Sequence, residues 1–582
     1  MKLLLLVTLV VFSLFTIAQI PDNRIVDWSN AGLVSDINLD IETVNVDDFG
    51  AIPNDGISDD QALQDAIDYF AGSPGKIQFH DGVYIFNTRI ILESGIILEG
   101  GGSNSTILNA NLDSEQDFIY ASGSIYAISY NVSKAEKGSS YIILQSALTE
   151  FSSGDIIKVK MDGESFMYSE WAYETMGQLF VIDNIVEDTI FLNSTLRHDF
   201  APAYNPIAIK IEPVQNVLIK SLSIIREDAT TTQTSNIRFT YAYNCQVRDI
   251  HSENSNFSHL SLRTSLNCEV SGCYFHHAHA YGEGGQGYGT EISASSGDCL
   301  IHNNIYEHLR HSVLIQSGAN GNVIAYNYSF EPYWDQSGFP SASAGDLVLH
   351  GNYTFCNLFE GNIAQNVVID DSHGQNGPYN TFFRNRLEKY GIVMNFNPAT
   401  DSCNIIGNEI TNTGFLLGNY TLFGDGHFEY GNNQTGDCKP SGTQNLEELS
   451  LFLENAPCYF YDDIEWPGIG YPVNYNAYVN PAYSRYGEGQ MTFDTCETLI
   501  SFITYDIIPE NRFDIYPNPN NGSFYIEFND EFEVSVFSLD GTLVQNKQTQ
   551  TGSIFLKDVE SGIYILQLRS DNYSENRKLV VN

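Results

Sequence analysis

A short unit recurs through the middle of the chain and limits what the chain can fold into. Each copy begins at Cys or Asn, continues with an apolar pair and a short gap, and ends five positions later at Asn or a substitute, Ile or Cys. The copies begin at Cys245, Cys268, Cys299, Asn322, Asn357, Asn380 and Cys403. They are 23, 31, 23, 35, 23 and 23 residues apart, so the base period is 23 and two coils carry extra residues. A period of this length predicts a solenoid.

The residue types in the repeat indicate which solenoid to expect. Val, Ile, Phe and Asn predominate without an apolar stripe of helical period, which predicts short strands joined by turns. In a parallel β-helix each coil lies about 4.8 Å above the previous one, so equivalent side chains stack. We therefore expect an internal ladder formed by Asn304, Asn327, Asn362, Asn385 and Asn408. A second stack, of buried small apolar residues rather than metal ligands, is expected for Cys245, Cys268, Cys299 and Cys403.

The start of the solenoid has its own signature. Ser58 is a suitable N-cap, and an apolar stripe follows it, which predicts an amphipathic helix at 59–71 that covers the open end. The stripe consists of Leu63, Ala66, Ile67 and Phe70. The whole segment 46–108, which includes Ile77-Gln-Phe-His-Asp-Gly-Val-Tyr, resembles the N-terminal part of the pectate-lyase-like, rhamnogalacturonase-type superfamily. The resemblance implies a right-handed parallel β-helix, but hydrolases and lyases share this start, so it does not decide the reaction.

The predicted fold class is all-β, with several segments of different character. The β-helix domain is expected at 44–507, with a small antiparallel insertion at about 150–200 and a C-terminal cap at about 430–507. The insertion is indicated by strand patterns such as Gly154-Asp-Ile-Ile-Lys-Val-Lys. Residues 19–43 form an N-terminal segment before the first coil.

Residues 1–18 have the pattern of a signal peptide. Lys2 supplies a positive charge, an apolar run follows, and Thr16-Ile17-Ala18 makes a small-residue cleavage site. The run is too short to span a membrane comfortably, and no later run approaches that length. We expect the mature chain to begin near Gln19, to leave the cytoplasm and to have no transmembrane segment.

The sequence pattern predicts that residues 508–582 form a separate domain. Its strands alternate apolar and polar residues, as in Gly562-Ile-Tyr-Ile-Leu-Gln-Leu, which predicts a small β-sandwich. The pattern resembles the type A sorting domain of the type IX secretion system. That resemblance implies the secretion machinery as a partner, loss of the domain on export, and a product that is released or attached to the cell surface. A carbohydrate-binding sandwich is the alternative interpretation.

Charge and cysteine content narrow the range of partners. With 27 Lys and Arg against 72 Asp and Glu, the formal net charge is -45, which argues against nucleic acid because phosphate binding needs clustered cations. The nine Cys include three late in the chain, Cys438, Cys458 and Cys496, of which two could pair. We expect a monomer.

The densest polar region lies between residues 276 and 397, framed by the two long coils. Insertions on one side of a solenoid form the wall of a groove, which suits a linear polymer, so a polysaccharide is the expected partner. Counted back from the repeated turn, four polar residues fall on or near the strand just before it: Arg263, Glu291, Gln316 and His350. The candidate catalytic residues are Glu291, His350, Asp370, Asp371 and His373. The candidate substrate-binding residues are Arg263, Tyr288, Arg310, His311, Gln316 and Trp334.

Two reactions are compatible with these residues. Hydrolysis needs a proton-donating acid of raised pKa and a second carboxylate, for which Glu291 with Asp370 or Asp371 is available. The clustering of acidic candidates favours hydrolysis of an acidic plant or algal polysaccharide.

The alternative enzyme is a polysaccharide lyase acting on a uronate polymer. His350 or His311 could serve as base, with Arg263 or Arg310 neutralising the substrate carboxylate. A third possibility is a binding or adhesive protein, in which Asp370 and Asp371 only shape a turn and the aromatic residues serve binding or packing.

No metal site is predicted. His276, His277 and His279 are expected to be surface residues on a loop; binding of a divalent ion by them is the alternative, although no carboxylate at helical spacing supports a zinc site. No cofactor is established, although a divalent cation such as calcium would serve a lyase.

Overall fold

In a computed structural model of the full chain, the residues that the structure describes are 20–146, 150–282, 284–335, 344–460, 464–470, 479–494, 514–516, 522–528, 532–538, 543–549, 552–570 and 573–581. The chain divides into two compact units, 1–505 and 506–582. The predicted all-β class is confirmed, and each unit is described by itself below.

The larger unit is a parallel β-helix whose coils place one short strand in each of three parallel sheets. Sheet 1 contains Thr43–Asn45, Gly75–Gln78, Ile96–Glu99, the first parts of Leu218–Arg226 and Gln246–Ser255, Glu269–Ser271, Leu300–His302, Val323–Ala325, Leu358–Glu360, Thr381–Phe383, Asn404–Ile406 and Phe428–Tyr430. Sheet 2 contains Gly82–Phe86, Thr106–Ala110, the second parts of Leu218–Arg226 and Gln246–Ser255, Tyr274–Ala278, Ile305–Glu307, Tyr328–Phe330, the first parts of Ile363–Ile369 and Arg386–Met394, Glu409–Ile410 and Asn432–Gln434, with Asp437–Lys439 antiparallel at the end.

Sheet 3 is the surface on which most of the candidate residues lie. It contains Ile90–Leu92, Ile119–Ser122, Ser235–Thr240, Ser258–Arg263, Tyr288–Ser293, His311–Ile315, Gly345–Leu349, the second parts of Ile363–Ile369 and Arg386–Met394, and Asn419–Thr421. A short parallel pair, Val214–Gln215 with Ala242–Tyr243, fills one corner. Apolar side chains of all three sheets pack in the interior, among them Val247, Ile292 and Val313.

The interior Asn ladder is confirmed. Nδ2 of each Asn donates to Oδ1 of the next, at 3.0 Å from Asn304 to Asn327 and at 2.9 Å from Asn327 to Asn362. The ladder continues through Asn385 and Asn408 and reaches one coil further than expected, to Asn432. Each Asn also bonds turn backbone, so buried amide and carbonyl groups are satisfied. The cysteines of the repeat are buried free thiols, as predicted.

The capping helix is also confirmed, as Asp60–Phe70, with its apolar stripe buried in the solenoid core. The N-cap is Asp59 rather than Ser58. The Asp59 carboxylate accepts the backbone N–H groups of Ile52 and Ile85, which ties the helix start to the first coil instead of capping its own turn.

The inserted segment is a closed antiparallel barrel, longer than the expected 150–200. Its strands are Ser124–Lys134, Tyr141–Leu144, Ile156–Lys160, Gly177–Val186, Thr189–Leu192 and Ile207–Glu212. Short 3-10 helices span Glu170–Thr175 and Pro202–Tyr204. The strand Ser124–Lys134, which the expected bounds left out, does alternate, with Tyr126, Ile128, Tyr130 and Val132 on its less exposed face.

Two segments run along the outside of the solenoid, and we call them the N-terminal strap (20–42) and the C-terminal strap (440–460, 464–470 and 479–494). A C-terminal cap was expected at about 430–507; the C-terminal strap contacts earlier coils, and 495–507 lie outside the described residues. Leu451 N donates to Glu360 at 2.8 Å, the Tyr459 hydroxyl lies 3.0 Å from His302 Nδ1, and Phe493 N donates to Gly272 O at 2.8 Å. The C-terminal strap includes the helix Pro481–Glu488, and 3-10 helices Asp22–Arg24 and Val46–Phe49 lie in and just after the N-terminal strap.

The smaller unit is the predicted β-sandwich. One antiparallel sheet contains Asp514–Tyr516, Phe524–Phe528 and Gly552–Leu556; the other contains Leu543–Thr549, Phe532–Ser538, Gly562–Ser570 and Tyr573–Val581. Phe524, Ile554 and Val534 belong to one core shared by both sheets.

Cysteine pairing is settled only in part. Cys438 is a free thiol and Cys458 is disulfide-bonded, whereas Cys496 lies outside the described residues. No helix within the described ranges has the length and apolar character needed to cross a membrane.

Candidate functional site

A polar row follows the last positions of the sheet 3 strands. Backbone bonds at 2.8–3.0 Å link each strand end to the coil before it, from Gln316 N to Ile292 O and from Asp370 N to Leu349 O. The row consists of Arg263, Ser293, Gln316, His350, Asp370 and Asn395. The neighbouring positions Ile292, Ile315 and Leu349 face the core, so alternation turns the row outward. Six strand ends in succession therefore present polar side chains at coil spacing.

His350 and Asp370 form the closest pair of this row. Nδ1 of His350 lies 2.5 Å from Oδ2 of Asp370. The Asp370 carboxylate also accepts the backbone N–H and hydroxyl of Ser372, and Nδ2 of Asn395 at 3.2 Å. The Asp370 side chain is 1% exposed and that of His350 is 11% exposed, so it is the imidazole that solvent or a ligand can reach.

The charges around this pair are unusually well defined. Burial opposes ionisation of Asp370, but the hydrogen bond and charge of His350, with the bonds from Ser372, outweigh it and hold the pKa of the Asp370 carboxyl well below its usual value. Burial, assisted by the charge of His350, lowers the pKa of the His373 imidazole. Both shifts favour a carboxylate at Asp370 and a neutral imidazole at His373 near neutral pH.

The other acidic candidates are placed differently. Glu291 is fully buried; Ser261 Oγ donates to its Oε2 at 2.6 Å and Gln316 Nε2 donates to its Oε1 at 3.2 Å. Asp371 is partly exposed and accepts Asn397 N at 2.7 Å and Nδ2 of Asn395 at 3.2 Å. Glu291 thus braces adjacent strands, and Asp371 organises the turn beside the row.

Two aromatic side chains from the barrel lie near His373, whose ring is 4.9 Å from that of His350. Ser169 Oγ lies 3.1 Å from Nδ1 of His373, and the Trp171 ring is 5.7 Å from the His373 ring. The Tyr168 and Ser169 backbone N–H groups both bond Oδ1 of Asn352 at 3.0 Å, which fixes this barrel segment against the coil. Tyr168 is 67% exposed and Trp171 54% exposed, so both rings offer open faces for stacking.

The predicted substrate-binding residues separate into three groups. Tyr288 and His311 are buried and pack with ring centroids 5.0 Å apart; burial holds the pKa of His311 well below its usual value. Tyr288 therefore has no open face for a sugar, and its predicted role as a substrate-binding residue is corrected. Gln316 supports Glu291, and Arg310 bonds the Gly282 carbonyl.

The remaining two predicted binding residues differ in accessibility. Arg263 is partly exposed in the polar row and makes no ion pair among the described residues. Trp334 is partly buried and forms no ring contact with the cluster within the described part of the chain.

Sequence reasoning missed the barrel aromatic residues Tyr168 and Trp171. It also missed Asn395, whose amide donates to Asp370 and Asp371. The run Phe166-Met-Tyr-Ser-Glu-Trp171 concentrates aromatic residues in a loop, which was a usable signal. Nothing in the spacing of Asn395 distinguished it from the ladder residues, because Asn is abundant throughout the repeats.

Comparison with protein families places both units. Residues 43–272 match the family model described as rhamnogalacturonase A/epimerase, pectate lyase-like, and residues 514–582 match the one described as secretion system C-terminal sorting domain. The first half of the solenoid is therefore similar to the pectate lyase-like family, and the smaller unit is a sorting domain. The protein is secreted or attached to the cell surface, and the secretion machinery is its partner. The pectate lyase-like match indicates that it acts on or binds polysaccharide.

Several solved structures are similar to the chain at low identity, and no curated protein matches it. The gp54 tailspike of Acinetobacter baumannii bacteriophage AP22, solved with the capsular saccharide, has 14% identity and a TM-score of 0.49, covering 63% of this chain and 58% of its own. A Thermotoga maritima exopolygalacturonase has 12% identity and a TM-score of 0.35, covering 65% and 83%. The A-module of an Azotobacter vinelandii mannuronan C-5 epimerase has 12% identity and a TM-score of 0.37, covering 64% and 78%. These likenesses assign no activity.

Proposed function

We propose that sheet 3 binds an acidic polysaccharide and that His350 removes a proton from the bound uronate, cleaving the polymer by β-elimination. The observation that carries this proposal is the 2.5 Å contact between His350 Nδ1 and the buried Asp370 carboxylate. An anionic partner at Nδ1 favours the tautomer with its proton there and leaves Nε2 as the proton acceptor. Nε2 of His350 makes no hydrogen bond among the described residues.

The chemistry balances with one base and one proton source. His350 Nε2 takes the proton from the carbon next to the uronate carboxylate, and that electron pair forms the ring double bond. The glycosidic C–O bond at the adjacent ring carbon, β to the carboxylate, breaks at the same time. The leaving oxygen takes a proton from water. The substrate carboxylate must be neutralised for the proton to become acidic, and a divalent cation such as calcium supplies this charge when present.

Arg263 supports an anionic polymer but not at the reacting sugar. It lies three coils from His350 in the same row, which is about 14 Å at 4.8 Å per coil. At that distance its guanidinium meets a neighbouring uronate of the same polymer chain. Trp171 and Tyr168 supply stacking faces on the opposite side of His373.

Hydrolysis, which the acidic cluster favoured, fits this arrangement less well. A hydrolase needs an accessible acid whose pKa is raised so that it can donate a proton. Glu291 is fully buried with both oxygens bonded, and the pKa of Asp370 is lowered instead. Asp371 is the only accessible acid among the three predicted ones.

The test is digestion of uronate and sulfated plant and algal polysaccharides, with calcium and with a chelator. Ultraviolet absorbance of the unsaturated product is followed together with new reducing ends. We expect both signals from the wild type and at least about a 100-fold loss of rate in folded His350→Gln, the scale of lost acid–base catalysis. His80→Gln, which removes an exposed histidine of the first coils, is the matched control. Reducing ends without unsaturated product would establish hydrolysis, and binding without shortening would establish an adhesive role.

A further inference from the structure

A second cluster of chemically capable side chains lies on sheet 2, outside the polar row. His251 and Glu253 belong to the strand Gln246–Ser255, and His276 belongs to Tyr274–Ala278 in the next coil. Glu253 pairs in register with His276, while His251 pairs with Tyr274. Ile250 and Phe275 face the core, so all three side chains project outward on the same surface.

The three side chains converge to within ligand distance of a single point. Nε2 of His251 and Nε2 of His276 are 2.7 Å apart, and one atom each from His251, Glu253 and His276 all lie within 4.8 Å of one another. Two ring nitrogens approach this closely only if a proton or a cation lies between them. A carboxylate beside them adds the negative charge that favours the cation.

The far side of His276 is also organised. Its Nδ1 lies 2.9 Å from Nδ1 of His277. His277 has φ 59°, a left-handed conformation that places its ring beside His276 rather than on the opposite face of the strand. An Nδ1–H of His276 donated to His277 leaves the Nε2 lone pair aimed at His251, as in metal-binding histidines whose other nitrogen is hydrogen-bonded. Burial lowers the pKa of both His251 and His276, in His276 to about 3 with help from the charges of His251 and His277.

We propose that His251, Glu253 and His276 bind one divalent transition-metal ion of the zinc type. Two imidazoles and a carboxylate are ligands that suit zinc, with further positions open to water or a ligand. Calcium is a poor fit because it takes six to eight oxygen ligands. Zinc–nitrogen bonds of about 2.0–2.1 Å in tetrahedral geometry place two nitrogens about 3.3 Å apart, so the rings need to separate by roughly 0.6 Å.

The bound ion clamps two successive coils at the base of a long loop. The loop leaves sheet 2 at Ala278 and returns to sheet 3 at Tyr288, where Gly287 N donates to Asn256 O at 2.9 Å. This is the coil with 31 residues instead of 23. Metal binding therefore stabilises the loop that borders sheet 3, and it does so whether or not the polysaccharide reaction occurs there.

The test is titration of the full-length, tag-free protein with Co²⁺ and, in competition, Zn²⁺. Co²⁺ bound by imidazole and carboxylate gives visible absorption bands that report its ligands. We expect one Co²⁺ per chain, displaced by Zn²⁺, and a thermal unfolding temperature that rises with Zn²⁺ concentration because the metal binds the folded state.

Variants separate this site from adventitious binding. His251→Gln, Glu253→Gln and His276→Gln should each weaken Co²⁺ affinity at least about tenfold, whereas His80→Gln should leave it unchanged. Circular dichroism of the metal-free proteins shows whether each variant is folded. The proposal is overturned if the wild type binds no Co²⁺ or Zn²⁺ at micromolar concentration, or if folded variants of the three residues bind as tightly as the His80 control. Neither outcome depends on cleavage of a polysaccharide.

Discussion

At the scale of single residues, Asp370 acts on the imidazole of His350 rather than on a substrate. It is buried, it is ionised, and it faces Nδ1 of His350. Such a carboxylate orients an imidazole and stabilises its protonated form during proton transfer. Asp370 is therefore a positioning residue.

Asp370→Asn tests this role. The amide keeps the shape but removes the charge that stabilises protonated His350, so kcat should fall at least about 100-fold with KM little changed. Steady-state kinetics on the cleaved polymer measure the effect. An unchanged kcat in the folded variant would show that His350 is oriented by something else.

The same substitution has a pH-dependent effect on stability. The folded-state pKa of Asp370 lies below its ordinary value of 3.8, so the unfolded chain binds the proton more readily. The carboxylate therefore stabilises the fold above about pH 4, and this stabilisation is lost as the pH falls through the folded-state pKa. The difference in unfolding temperature between wild type and Asp370→Asn should be largest near neutral pH and shrink in acid.

The structure brings some of the predicted residues together and separates others. Counting from the repeated turn predicted that Arg263, Glu291, Gln316 and His350 fall on or near one strand position, and the structure has Arg263, Gln316 and His350 in the polar row. It could not show that Glu291 lies two residues before the polar row on its strand. Nor could it show that Glu291 is buried, because its burial depends on side chains of other coils, including Ser261 and Gln316. Trp171 comes from an insertion with no repeat, so spacing carried no information about it.

At the scale of elements, the Asn ladder is the part of the solenoid in which each side chain makes the most buried hydrogen bonds. Asn362 is buried; its Nδ2 donates to Ile324 O at 2.8 Å and to Asn385 at 2.9 Å, while its Oδ1 accepts from Asn327. Because the repeat spacing fixes this stacking, the ladder followed from the sequence. The barrel did not, since no period relates its strands.

Asn362→Leu should lower the free energy of unfolding by about 3 kcal/mol or more, because it leaves buried backbone groups of two coils without partners, at about 1–3 kcal/mol each. Chemical denaturation measures the change. Asn104→Leu, at an exposed turn position, should cost less than about 0.5 kcal/mol. Equal losses in the two variants would contradict a special role for the ladder.

At the scale of the whole molecule, the two units have separate cores. The sandwich core contains only residues of 524–581, and the solenoid cores contain none of them. A sorting domain of this kind is used during export and need not remain in the product.

We therefore expect the exported protein to lack residues 1–18 and the sorting domain. Intact mass of the protein recovered from the culture medium or cell surface of its native host measures both ends. A species that still ends at Asn582 would contradict loss of the domain. Protein purified from the cytoplasm before export is the control, and it should retain the full mass.

The two straps add long-range contacts that the repeats alone do not make, because each strap contacts several coils. Arg24 donates to Asn404 at 3.1 Å across 380 residues, and Trp28 donates to Cys356 O at 2.8 Å. The C-terminal strap returns in the same direction to Asp494, which pairs with Lys220. A plain repeat protein can nucleate anywhere and grow coil by coil. Here Arg24 finds its partner Asn404 only after that late coil has formed, so the N-terminal strap completes its contacts after most of the solenoid is in place.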